Sequence, residues 1–72
     1  MMMRTTEKKC LLIIDLLETY EAHKIIFEQK CGRQDTKKIK YNYYTYEVLE
    51  IDYNKVCDII NYIKNCKEWN TL

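Results

Sequence analysis

The sequence predicts a small α+β domain in the order helix, β-hairpin, helix, assembled as a homodimer. Three observations carry this. Residues 5–31 hold apolar side chains at helical spacing, residues 37–51 are rich in Tyr, Ile, Val and Thr, and residues 52–68 return to helical spacing. The chain has 72 residues, which makes a single domain spanning residues 1–72. A chain of this length buries only about 60% of its unfolded surface, so a second copy is a natural supplement to its core.

The first helix follows a short tail at residues 1–5 that is expected to be disordered. Thr5 or Thr6 can cap it, and Glu7 suits the positive end of its dipole. Ile13, Leu16, Leu17, Tyr20 and Phe27 fall on one face, with Cys10 and Cys31 near its edges. Gly32 follows directly and can take the left-handed conformation that ends helices, while Lys30 and Arg33 suit the negative end of the dipole. Leu11, Ile14, Ile25 and Ile26 form a second apolar set away from that face. Two short partner elements do not cover both sides of so long a helix, so this set is the expected dimer interface.

A polar loop is expected over residues 33–37. In the β segment the side-chain alternation slips phase: Ile39, Tyr41 and Tyr43 are odd, and Tyr44, Tyr46 and Val48 are even. A side-chain period of two does not allow this within one regular strand. A hairpin turning at Tyr43-Tyr44 resolves the slip, pairing Tyr41 with Tyr46, Lys40 with Glu47 and Ile39 with Val48. One face then carries Ile39, Tyr41, Tyr46 and Val48, and the other carries Lys38, Lys40, Asn42, Thr45 and Glu47. The turn is the weak point, because Tyr-Tyr supplies no residue suited to positive φ. A four-residue loop over 42–45 would ease it, and one long bulged strand is the alternative. A lone hairpin is marginal in water and must pack on helices or pair with a second copy.

For the second helix Asp52 is a good N-cap. Val56, Ile59, Ile60 and Ile63 make its apolar stripe, with Tyr53 and Cys66 at the margins. Trp69 falls near its end, where it can either close the core or anchor a partner.

Composition excludes several function classes. Lys and Arg number 12 against 11 Asp and Glu, so the totals show neither a strongly basic nor an acidic chain. With 47% apolar residues and a net charge of +1, long disorder is not expected. There is one Gly and no Ser, which removes glycine-rich phosphate loops and serine nucleophiles. No enzyme motif is present, so no catalytic residue and no cofactor are expected. The single histidine, His23, lies two turns from Cys31, too far for a Cys–His dyad within the helix.

The cysteines at 10, 31, 57 and 66 are separated by 21, 26 and 9 positions, so none forms the C-x₂₋₄-C knuckle of a zinc site, and no metal is expected. Cys10 and Cys66 read as small buried hydrophobes. Cys31 and Cys57 are the candidates for a disulfide or a reactive thiol. The start of the chain lacks a charged region followed by an uninterrupted apolar run, so the protein reads as intracellular, with reduced cysteines as the default and no membrane contact. Its richness in Lys, Ile, Asn and Tyr suits an AT-rich genome, and small motif-free chains of this kind are frequent in viruses and mobile elements.

Two functions follow as expectations. The first is a non-enzymatic interaction protein, a homodimeric regulator or inhibitor of another protein, with Tyr43, Tyr44 and Trp69 as anchors. Tyr and Trp bring area and a polar handle together at interfaces. The alternative is a nucleic-acid-binding dimer. Positive charge gathers at residues 30–40, just before the tyrosine run, and basic groups beside exposed aromatics suit stacking on single strands. Arg33, Lys37, Lys38, Lys40 and Tyr41 would carry it.

Overall fold

A computed structural model describes residues 5–66, so Met1–Arg4 of the expected tail and the C-terminal residues that include Trp69 lie outside the described residues. Helix α1 spans Thr5–Cys31, β1 Thr36–Tyr41, β2 Tyr44–Leu49 and helix α2 Glu50–Asn65. The two strands form one antiparallel hairpin, so the bulged-strand alternative falls. At 1.5 Å rise per residue α1 is about 40 Å long, and it sets the 43 Å long dimension of the molecule.

Both ends of the first connection follow from local chemistry. Gly32 takes φ 83°, and its N–H donates to the Glu28 carbonyl at 2.8 Å, which ends α1 as expected. Thr36 joins β1 one residue earlier than expected, which leaves residues 32–35 as the loop. The Glu50 N–H donates to the Asp35 carbonyl at 3.0 Å and ties this loop to the start of α2.

The hairpin turns at Asn42-Tyr43, not at Tyr43-Tyr44. Tyr41 therefore faces Tyr44, Ile39 faces Tyr46, Lys38 faces Glu47 and Lys37 faces Val48. The cause is the turn itself. A two-residue turn needs positive φ in its first position, and Asn42, at φ 57°, is the residue in this run that tolerates it. The shift moves every cross-strand pair but leaves each side chain on its expected face, because partners move by two positions.

Helix α2 starts at Glu50, two residues earlier than expected. Asp52 is therefore in its first turn and is not its cap; Leu49 precedes the helix without a side-chain cap. Glu50 and Asp52 both complement the dipole there. Ile13 and Leu17 of α1, Tyr46 and Val48 of β2, and Val56 and Ile60 of α2 form the buried core. Leu16, Tyr20, Ile39, Tyr41, Tyr53 and Ile63 pack around it.

The helices run antiparallel. His23 meets Asp52 near one end, and the Lys9 ammonium donates to the Lys64 carbonyl near the other. This register sets Cys57 opposite the middle of α1, about 20 Å of helix rise from Cys31. A Cys31–Cys57 disulfide within one chain does not fit this register, and all four cysteines are free thiols.

Candidate functional site

The hairpin has two edges, and the fold treats them differently. Tyr41 and Tyr44 flank a two-residue turn and so exchange hydrogen bonds with each other. Alternate pairs down the ladder then turn the backbone groups of Thr45 and Glu47 outward on β2, and those of Thr36, Lys38 and Lys40 outward on β1. On β2, helix α1 closes the edge. The outward Glu47 N–H donates to Glu21 Oε1 at 3.2 Å. The Glu47 side chain accepts from Lys24 Nζ at 2.7 Å. That hydrogen bond holds the Glu47 carboxyl below its usual range and the Lys24 ammonium above its own. On β1 no such cap exists among the described residues. Lys38 and Lys40 are exposed along it.

The tip of the hairpin is the most exposed aromatic feature. Tyr43 is 97% exposed and Tyr44 is 65% exposed. The Tyr44 ring leans on that of Tyr46, with centroids 6.5 Å apart, while burial raises the Tyr46 phenol above its usual range. Beside Tyr44 an open groove of about 440 Å³ is lined by Ile14, Glu18 and Glu21 of α1 and by Thr45 and Tyr46 of β2. Leu11 is one turn before Ile14 on α1 and is half exposed.

The structure therefore joins two groups of side chains that looked independent in the sequence. Ile14 of the expected dimer set and Tyr44 of the expected partner-binding set line one groove, with Leu11 one turn before Ile14 on the helix and Tyr43 next to Tyr44 in the chain. Ile25 and Ile26 do not join them. Both are half exposed about three turns further along, and they project about 100° apart around the helix.

The basic segment is divided in the same way. Lys37 lies 4.9 Å from the centre of the Tyr53 ring and 3.9 Å from Glu50 Oε1. Tyr41 is partly buried. Burial first, and a hydrogen bond with the Cys10 thiol second, push its phenol up to about 12. The Lys64 ammonium stands 5.8 Å from its ring centre. Arg33, Lys38 and Lys40 are left facing solvent.

One pairing had no signal in the sequence. His23 Nε2 lies 3.5 Å from Asp52 Oδ2, beside a groove of about 310 Å³ that Thr19, Tyr20 and Lys55 complete. The residues are 29 positions apart, and helical periodicity carries no information at that range. The nearby Thr19 hydroxyl donates to the Asp15 carbonyl at 2.8 Å, so its proton is not directed at the histidine. Cys57 shares a hydrogen bond with Tyr53, which raises the Tyr53 phenol, and Cys31 is exposed at the end of α1. Among the described residues no three side chains gather as metal ligands, and no helix is long and apolar enough to cross a membrane.

No protein-family model, no curated protein and no solved structure matches the chain.

Proposed function

We propose that this chain acts by binding another protein, as a small non-enzymatic regulator or inhibitor. The contact surface is the junction of the hairpin tip with the N-terminal half of α1. One observation carries the reading: the exposed Tyr44, next in the chain to the exposed Tyr43, lines a groove with Ile14 of α1. Tyrosines bring contact area with little entropy to lose, and a groove that sets Ile14 beside them suits a hot spot. Glu18 at the rim favours a partner with an apolar contact and basic surroundings.

A second copy on this helix is less well supported. Residue 18 lies midway between Leu11 and Ile25, so parallel or antiparallel pairing along that line sets Glu18 against its own counterpart. Nucleic acid is also less well supported, since Lys37 and Tyr41 already have partners within the fold.

The test is retention of a binding partner from the native host by the wild-type chain and by the Tyr43→Ala/Tyr44→Ala variant. A protein held by the first and lost by the second supports the reading. Equal retention contradicts it, as does tight binding of an oligonucleotide at low salt that is lost when Lys38 and Lys40 become Glu. Sedimentation of the free chain is expected to show a monomer.

A further inference from the structure

We infer that the open edge of β1 receives an extended acidic segment of another chain, which adds to the hairpin as a third strand. This surface is distinct from the tyrosine junction, and the inference goes beyond that reading.

Among the described residues the hairpin offers one edge for such pairing. The outward N–H of Glu47 is already taken by Glu21, and Lys24 lies against the Glu47 side chain, so α1 blocks continuous pairing along β2. On β1 the ladder turns the N–H and C=O groups of Thr36, Lys38 and Lys40 outward at consecutive outward positions. Such a row of main-chain donors and acceptors is a template for strand addition.

Charge then selects the occupant. Lys38 and Lys40 project on the solvent face of the sheet, and both are exposed. A second copy pairing antiparallel along β1 would bring these lysines against each other, and like charges directly opposite are unfavourable. The same lysines that guard this edge against self-pairing attract a strand of opposite sign. On the other face the added strand would meet Ile39, which packs against the core between Lys37 and Tyr41. The fitting segment therefore alternates acidic and apolar residues, acidic toward Lys38 and Lys40 and apolar toward Ile39.

A capped six-residue peptide alternating Glu and Val tests this by titration of the full chain at low salt. Amide NMR shifts and hydrogen exchange provide the readout. The expected result is saturable binding with slowed exchange at the Lys38 and Lys40 amides. Changing both lysines to Glu is expected to weaken binding about tenfold, as two attractive cross-strand pairs become repulsive. An unchanged melting curve would show that this variant is folded. The same peptide N-methylated at alternate amides keeps its charge but cannot pair, and is expected not to bind. The Tyr43→Ala/Tyr44→Ala variant is expected to bind the peptide like the wild type, which separates this surface from the tyrosine junction.

The inference would be overturned by no binding at low salt, equal binding of the N-methylated peptide, shifts confined to other elements, or slowed exchange at Lys38 and Lys40 from self-association without peptide. Displacement of the peptide by a single-stranded oligonucleotide that leaves those amides exchanging fast would also overturn it, and would assign the lysines to phosphate contact.

Discussion

The two strands of the hairpin have the same length and share one face against the helices, yet their outer edges have opposite fates. Along β2, α1 supplies a carboxylate for the outward N–H of Glu47 and an ammonium for its side chain. Along β1 no described residue caps the outward groups of Lys38 and Lys40, and the exposed ammonium groups of the two lysines guard the edge by charge. An edge can thus be closed by hydrogen bonding or guarded by repulsion. The first closes the edge to every partner, whereas the second excludes only partners of like sign.

The largest effect should come from breaking the core that holds both edges in place. Leu17 and Val48 are fully buried, and Leu17→Ala is expected to cost about 2–5 kcal/mol. In a domain this small that is a large share of the total, so urea denaturation should show a sharply lowered midpoint and both edges should exchange alike. Gly32→Ala comes next. At φ 83° an added Cβ meets no neighbouring atom, so the cost is that of the backbone conformation alone, about 1–2 kcal/mol by the same measurement.

Glu21→Ala addresses the comparison itself. Removing one hydrogen bond to the β2 edge is expected to cost about 1 kcal/mol. Its clearer sign is local: exchange at the Glu47 amide should accelerate toward that of Lys38 while the core amides keep their order.

The smallest effect is the pH dependence, followed by thermal melting. Tyr41 keeps its proton up to about 12, whereas the unfolded chain releases it near 10.0, so its contribution is present below pH 10 and falls away as pH rises toward 12. Lys24, raised by Glu47, acts in the same direction on the alkaline side. Glu47, lowered by Lys24, loses its contribution as pH falls below the usual carboxylate range. Tyr41→Phe should flatten the alkaline fall and leave the acid side unchanged.

Much of this architecture was legible in local chemistry. Gly32 marks the end of α1, because a position of positive φ beside a helical pattern selects glycine. The stripe at Ile13 and Leu17 and the stripe at Val56 and Ile60 identify the core, because helical period and burial coincide there. The hairpin follows from the phase slip between Tyr43 and Tyr44. Side-chain alternation does not place the turn itself, because it is blind to backbone φ, and Asn42 decides the register.

Contacts between elements were not legible. Glu21 and Glu47 are 26 positions apart, and nothing in the period of either element brings them together. The same holds for His23 with Asp52, and for the meeting of Ile14 with Tyr44. The candidate surfaces therefore depend on α1 lying along β2. The expected interface set at Leu11, Ile14, Ile25 and Ile26 divided along the length of the helix: Ile25 lies about three turns beyond Ile14 on much the same side, outside the groove at Tyr44, and Ile26 projects about 100° from Ile25.

Amide hydrogen exchange on the free chain tests the contrast between the edges most directly. The Glu47 amide is expected to be protected, although it points away from β1, while the Lys38 and Lys40 amides exchange fast. Equal and fast exchange at Glu47, Lys38 and Lys40 would show that α1 does not close the β2 edge and that the two edges do not differ.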